Sequence, residues 1–330
     1  MRYLRTLFTI LFTAVLSRQA AAASPDCAYD PARTHLSRIV AADSTNGPIY
    51  GQMVQGADKS QVRTLALLDH EIVLTFDDGP LAATTSVILD TLDRHCVKAT
   101  FFPIGGMALL GSKTLREIGE RGHTIGSHTW SHPLSLRSMP FERIKAEIEG
   151  GFAAVGQAAG VPIAPFFRFP GLGDSPEAVA YLASRNISIW SVDVVAGDAE
   201  RGATPASIAR NTISRLERLG KGIVLFHDIK HTTAEALDGI LTSLENSGYK
   251  VVHIVSNTAY QPDSRVLANP EILRSMAADA ARTGKRTAPK PEELNEGVVT
   301  VAHSEWIELD PEVVARQRLA GAIFAAEPGM

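Results

Sequence analysis

This sequence has few cysteines, a small net charge and few long apolar segments. Its 330 residues include only two cysteines, which excludes a disulfide-built scaffold and leaves no Cys-x-x-Cys zinc motif. The net charge of −4 does not indicate a nucleic-acid binder or a polybasic membrane binder. Past the N-terminus no apolar segment is long enough to span a membrane. With 45% hydrophobic residues, the chain suits one or two globular domains with a sizeable core.

The first 23 residues have the layout of a secretory signal peptide. Arg2 and Arg5 form a basic start, an apolar run covers 7–16, and four alanines end at Ala23. This order of basic, apolar and small residues predicts cleavage near Ala23 and export to the periplasm or the extracellular space. The alternative is an uncleaved signal anchor.

The remaining chain divides into three parts by composition. Residues 24–70 are mixed and are interpreted as an N-terminal extension, whereas 71–256 alternate short apolar runs with helical patterns. Residues 257–330 are rich in proline, alanine and glutamate and predict a C-terminal extension that is partly helical, as at 271–282, or disordered. Whether the two cysteines of an exported protein form a disulfide is left open.

The middle part predicts an α/β fold. Strands are expected at 72–76, 99–104, 124–126, 166–169, 187–192, 222–226 and 251–255. Helices are expected at 83–95, 113–121, 141–159, 176–184, 205–219 and 232–247. Repeated strand–helix alternation predicts a parallel sheet that is closed, or nearly closed, as a barrel.

Two adjacent carboxylates end the first predicted strand. Asp77 and Asp78 follow the apolar run 72–76 and precede a Gly-Pro breaker. Adjacent carboxylates repel each other, so such a pair needs a cation or a basic partner. Chemistry also collects at the C-terminal ends of parallel strands. The alternative is an Asp-Gly turn with solvated acids.

A pair of histidines, His128 and His132, is the second candidate feature. Histidines four residues apart can bind one metal ion if the backbone turns between them, and Pro133 favours a turn over a helix interior. Together with Asp78 they would leave coordination positions free for water and substrate, as a catalytic metal requires. The alternative is a polar surface loop.

Two further strand ends carry polar residues. Arg168 could pair with a carboxylate such as Asp77, and Gly171 could present a backbone N–H to an oxyanion. His227 follows the run 222–226 and could act as a general acid near neutrality. A hydrogen-bonded structural histidine is the alternative for His227.

These segments, in this order, resemble the polysaccharide deacetylases of carbohydrate esterase family 4, which share the NodB homology domain. The matching segments are 75–80, 99–102, 122–128, 128–133, 168–170 and 225–228. The resemblance covers about 71–255 and implies a distorted (β/α)7-type barrel. It also implies a hydrolase that uses a divalent metal to remove N-acetyl groups from a glycan.

The resemblance assigns the metal to Asp78, His128 and His132. Zinc is the default ion for two histidines and one aspartate, and cobalt or nickel would also fit this donor set. The same chemistry follows from the reaction, because an unreactive amide needs a polarised carbonyl and an activated water.

The resemblance also assigns the proton transfers. Asp77 would be the general base that activates water, Arg168 would orient it, and His227 would protonate the leaving amine. Asp198 is favoured as the partner of Arg168, with Asp193 as a close second.

Substrate contacts are implied for Pro170, Gly171 and Leu225, with Leu225 lining a pocket for the acetyl methyl group. Two positions depart from the family pattern. Gly171 stands where an aromatic residue is usual, and Asp198 is followed by Ala199 where a tryptophan is usual. Both changes concern the sugar-binding groove more than catalysis.

The leading hypothesis is therefore a secreted, metal-dependent N-deacetylase of an acetylated glycan such as peptidoglycan, a chitooligosaccharide or an exopolysaccharide. One alternative is a catalytically silent glycan-binding protein on the same fold. Another is a hydrolase of other non-peptide C–N amide bonds.

Overall fold

A computed structural model describes residues 27, 36–55, 59–267, 298–300 and 306–308. The predicted signal peptide and the helix expected at 271–282 lie outside these residues. None of the helices in the described part has both the length and the apolar character needed to cross a membrane.

The described part alternates strands and helices from β4 to β11. The strands are β1 (Leu36–Ala42), β2 (Ile49–Tyr50), β3 (Val62–Arg63), β4 (Glu71–Asp77), β5 (Thr100–Phe102), β6 (Thr124–Ile125), β7 (Phe166–Phe167), β8 (Ser188–Trp190), β9 (Val194–Val195), β10 (Gly222–His227), β11 (Lys250–Ser256), β12 (Val298–Thr300) and β13 (Trp306–Glu308). The helices are α1 (Ala82–Arg94), α2 (Gly105–Leu110), α3 (Ser112–Glu120), α4 (Phe141–Ala159), α5 (Pro176–Ser184), α6 (Pro205–Leu219), α7 (His231–Asn246) and α8 (Ser264–Leu267). Every strand and helix expected from the sequence between 71 and 256 is present, with ends that differ by at most two residues.

Strands β1 to β11 form two parallel sheets that join into a distorted barrel, and β12 and β13 form a separate antiparallel pair. One sheet has the order β1-β11-β4-β10-β9, with β5 beside β4 and β6 beside β5, and the other has the order β3-β2-β8-β7. A parallel bridge between Ser127 and Phe167 links β6 to β7. The two sheets are also joined through the chain between β8 and β9. β8 belongs to one sheet, residues 191–193 follow it, and β9 belongs to the other sheet. The expected α/β barrel is confirmed.

The N-terminal extension contributes strands to both sheets. β1 pairs with β11, and β2 pairs with β8. No strand is expected here from the sequence, because β1 buries only Ala42 and shows no clear alternation. β2 and β3 have two residues each, which is too short for a period-2 pattern to appear.

Strand β4 is buried on both faces and points its last carboxylate into the barrel. Ile72 and Phe76 belong to the core between the strands and the helices. Val73 belongs to a second core inside the barrel with Trp190. Because side chains alternate along a strand, Asp77 shares the inner face with Val73.

A disulfide joins Cys27 to Cys96, just past the end of α1. The two cysteines are 69 positions apart in sequence. In the chain-entropy model a loop of that length corresponds to a stabilisation of about 4 kcal/mol. The bridge fastens the chain near its N-terminus to the barrel.

An ion pair between the buried Glu71 and the half-buried Arg38 connects the start of β4 to β1. Glu71 is 4% exposed and accepts hydrogen bonds from Arg38 Nε at 2.9 Å, Ser37 Oγ at 2.8 Å and the backbone N–H of Leu68 at 2.7 Å. The hydrogen bond from Arg38 does most to lower the pKa of Glu71 to about 2, against the effect of burial.

We expect Glu71→Gln to lower the free energy of unfolding at pH 7 by about 1–3 kcal/mol, because Arg38 loses its charged partner. A carboxylate with a lowered pKa stabilises the fold above its ordinary pKa of 4.5 and loses that effect as the pH falls towards about 2. The difference between variant and wild type should therefore shrink below pH 4.5 in urea unfolding. The exposed Glu120→Gln is the control, and an undiminished difference at pH 3 would contradict this assignment.

Candidate active site

We call the end of the barrel at which β4 and β10 finish the mouth. The end of β4 brings two successive carboxylates to one side of this mouth. Successive side chains in a strand normally point to opposite faces. Asp78 has a positive φ of 80°, which ends that alternation. As a result, Asp77 Oδ2 and Asp78 Oδ1 each lie 3.7 Å from Nε2 of His128.

The histidine loop after β6 is a series of turns. Thr129 and His132 have positive φ angles of 66° and 59°, so His128 and His132 converge without a helix. Nδ1 of His128 lies 2.7 Å from the carbonyl oxygen of Arg168, and donation to this acceptor leaves Nε2 unprotonated for a metal. Burial, with the nearby charge of His132, lowers the pKa of His128 to about 3, so the ring is neutral.

The residues expected to bind a metal ion lie together. One donor atom from each of Asp78, His128 and His132 falls within 4.8 Å of the others. Asp78 Oδ1 is buried without a hydrogen-bond partner, and His132 Nε2 is 3.4 Å from it. An orphaned carboxylate oxygen beside two imidazoles fits a divalent cation, with zinc, cobalt and nickel all compatible with these donors.

Arg168 holds the other carboxylate. Its Nη1 donates to Asp77 Oδ1 at 2.7 Å and to Thr75 Oγ1 at 2.8 Å, and its Nε donates to the carbonyl of Trp190 at 2.8 Å. Burial raises the pKa of Asp77, and the charge of Arg168 opposes that rise. Asp77 Oδ2 remains on the side of His128.

Asp198 pairs with His227, and the prediction that it pairs with Arg168 is wrong. Asp198 Oδ1 lies 2.8 Å from His227 Nδ1, and Oδ2 accepts from the His227 backbone N–H and from Thr233 Oγ1, both at 2.7 Å. The carboxylate bound by Arg168 is Asp77.

Asp193 is not the partner of Arg168 either. Its carboxylate accepts the backbone N–H of Gln52 at 3.1 Å and that of Ile223 at 2.8 Å. Ile223 lies at the start of β10, whereas His227 ends that strand. Through the short strand β9, the chain advances along β10 from its start, where Asp193 lies, to its end, where Asp198 lies. Of these two aspartates, only Asp198 therefore reaches the mouth.

His227 is held as an imidazolium. Burial alone would favour the neutral ring, but the hydrogen bond and charge of Asp198, with the charges of Asp77 and Asp78, raise the pKa of His227 to about 9. The pKa of Asp198 is lowered because the bonds from His227 and Thr233 outweigh its own burial. The pair can therefore present a proton at neutral pH.

Pro170, Gly171 and Leu225 are the residues expected to contact substrate. Pro170 is buried at the start of a 3₁₀ turn, and Gly171 is exposed within it at a φ of 58°. Leu225 is 7% exposed and belongs to the core inside the barrel. Pro170 and Gly171 follow Arg168 closely in the chain, and Leu225 precedes His227 by two residues.

Asp228 is a site residue that the sequence analysis did not single out. It is 1% exposed and accepts hydrogen bonds from the backbone N–H of Gly79 at 2.8 Å and from Thr85 Oγ1 at 2.7 Å. Its own N–H donates to the carbonyl of Asp77 at 3.2 Å. Its position next to His227 in the matching segment was the available signal.

Glu147 is a second such residue. It is 2% exposed on α4 and accepts hydrogen bonds from Ser131 through the backbone N–H at 2.8 Å and Oγ at 2.7 Å. Ser131 lies between the two histidines, so Glu147 fastens their loop to a helix. A carboxylate between the apolar residues Ile144 and Ile148 was the only hint in the sequence.

The chain resembles proteins that act on acetylated glycans. The family model described as polysaccharide deacetylase matches residues 66–189. A peptidoglycan-N-acetylglucosamine deacetylase of Listeria monocytogenes is 32% identical over 69% of this chain and 46% of its own length. A peptidoglycan-N-acetylglucosamine deacetylase of Bacillus cereus is 32% identical over 56% of this chain and 67% of its own length.

A solved structure is similar as well. A peptidoglycan deacetylase of Bdellovibrio bacteriovorus superposes with a TM-score of 0.59 at 30% identity, covering 68% of this chain and 61% of that one. The chain thus spans less than half the length of the Listeria protein and between three fifths and about two thirds of the other two relatives.

We expect Gly79→Ala to weaken zinc binding about ten- to hundredfold, the range for lost support of a metal ligand. A Cβ at Gly79 would stand 2.0–2.4 Å from the carboxylate of Asp228, so the turn that carries Asp78 must shift. Zinc titration calorimetry on metal-stripped protein measures the effect. The control is Gly239→Ala, where a Cβ meets nothing within 4 Å. Unchanged zinc affinity in Gly79→Ala would contradict a role for this turn.

Proposed function

The chain belongs to the polysaccharide deacetylase family, and on that premise we propose that it hydrolyses N-acetyl groups of an acetylated glycan with the help of a divalent metal ion. The observation that carries the proposal is that three groups suited to different steps of the reaction lie at the same end of the barrel. A cluster suited to a cation, a carboxylate paired with Arg168 and an imidazolium paired with Asp198 lie at neighbouring strand ends.

Asp78, His128 and His132 would hold the cation, and zinc is the ion that we propose. When bound, it polarises the acetamide carbonyl and lowers the pKa of the attacking water. Asp77 accepts the proton from that water through Oδ2, because Oδ1 is held by Arg168. The backbone N–H of Gly171 donates to the oxygen that becomes negative.

His227 completes the reaction by donating its proton to the nitrogen of the sugar. The C–N bond breaks, acetate leaves, and the glycan keeps a free amine. Asp198 orients His227 and keeps it protonated until that step. Leu225 contacts the methyl of the acetyl group, and Pro170 borders the sugar.

The relatives indicate the class of substrate. The names of the Listeria, Bacillus and Bdellovibrio proteins all specify peptidoglycan, and we propose peptidoglycan as the first glycan to test here. An exported protein would meet it in the cell wall. The disulfide between Cys27 and Cys96 supports export, because disulfides persist in oxidising compartments.

We expect metal-stripped protein to release no acetate from peptidoglycan or a chitooligosaccharide, and restored zinc or cobalt to return the activity. Asp77→Asn should lower kcat about 10²–10⁴-fold, because the variant lacks the proton acceptor. Acetate release and zinc binding are measured on the same samples.

Asp193→Asn is the matched control, because Asp193 lies away from the mouth and should leave kcat nearly unchanged. Glycan binding without acetate release by the zinc-loaded wild type would instead identify a catalytically silent binder.

The fall of kcat on the alkaline side of its pH profile, the alkaline limb, should report the pKa of His227. Activity needs its protonated form, so kcat should fall as the pH rises through a pKa raised to about 9. Asp198→Asn removes the carboxylate that raises this pKa and should move the limb to lower pH by about one unit or more. Thr233→Val removes a hydrogen bond to Asp198 without removing charge, so it should move the limb less. A limb unmoved by Asp198→Asn would exclude His227 as the acid.

A further inference from the structure

An exposed leucine lies beside the active-site mouth. Leu134 is 73% exposed, more than any other large apolar residue in the described part of the chain. Exposed leucines are common on protein surfaces and need no explanation by themselves. The position of this one is informative, because it comes two residues after His132.

The side chain of Leu134 lies close to Gly171. A Cβ built on Gly171 would lie 3.3 Å from Cδ2 of Leu134, its one neighbour within 4 Å. Gly171 is exposed and has a φ of 58°, a conformation that side chains with a Cβ rarely adopt. The leucine therefore lies directly beside the place where a side chain at 171 would begin.

The two segments run side by side from the candidate metal centre to the surface. At the inner end, His128 Nδ1 bonds to the carbonyl oxygen of Arg168. At the outer end, the side chain of Leu134 lies close to Gly171. Leu172, the next residue of the turn, packs against the core inside the barrel that contains Leu225. Apolar side chains from two segments, Leu134 and Leu172, thus lie near Gly171.

We propose that Leu134 and Gly171 form an apolar shelf that supports the sugar ring next to the one being deacetylated. This inference rests on the proposed function. Pyranose rings have hydroxyl groups around their edge and C–H groups on their faces, so a flat apolar surface accepts a ring face through hydrophobic and dispersion contact. The shelf would then favour glycans longer than one sugar.

The test compares two substrates of different length. Leu134→Ala should raise KM for an acetylated chitotetraose about five- to tenfold, because it removes most of the apolar contact that the leucine would make with the sugar ring. The kcat of Leu134→Ala on that substrate should stay within about twofold of the wild-type value. On the shortest glycan that the wild type deacetylates, KM and kcat should both stay within about twofold of the wild-type values. Leu134→Asn keeps a similar size without the apolar character and should behave like Leu134→Ala.

Leu68→Ala is the matched control, because Leu68 is 64% exposed and precedes β4 at the opposite end of the barrel. An unchanged KM for the tetramer in Leu134→Ala would overturn the shelf. An equal loss on short and long glycans would also overturn it, because Leu134 would then act on the reaction centre.

A wild type that releases no acetate from any glycan would refute the proposed function. The shelf is then tested by calorimetric binding of the tetramer. A five- to tenfold weaker affinity in Leu134→Ala supports it, and an equal affinity overturns it.

Discussion

The buried ion pair between Arg168 and Asp77 is the interaction on which the site depends. Removing a charge from water costs several kcal/mol per ion, so a buried pair persists only when its hydrogen bonds are satisfied. Arg168 meets this condition through Asp77, Thr75 and the carbonyl of Trp190. Its own carbonyl accepts the hydrogen bond of His128. One residue therefore links three strand ends and orients both the proposed base and a proposed metal ligand.

The register of the sheet sets the distance between the proposed base and acid. Asp77 and His227 are direct partners in the parallel pair of β4 and β10, and neighbouring strands are about 4.8 Å apart. A slip of one residue would turn either side chain to the opposite face. The apolar residues of β4, buried on both faces, fix this register, so core packing and the site geometry have a common origin.

Much of this arrangement could be predicted from sequence, because the informative features are local. The strand end at Asp77 and the apolar strand before His227 depend only on nearby residues. The pairing of Asp198 with His227 could not be predicted, because it depends on how far the two-residue strand β9 advances the chain along β10. β1 was missed because it lies at the sheet edge with little burial. Glu147 was missed because it acts from the next α-helix, 16 residues after Ser131, and no local pattern links the two.

On the proposed roles, the site must keep a base and an acid close together without neutralising each other. Asp77 and His227 carry opposite charges on adjacent strands, so a proton could pass directly between them. Arg168 stabilises Asp77 as a carboxylate, and Asp198 stabilises His227 as an imidazolium. Each group thus has its own counter-charge, which favours the protonation state that the proposed reaction needs. For Asp77 that counter-charge opposes burial, which raises its pKa. The two buried pairs therefore serve catalysis by preventing the exchange that proximity alone would favour.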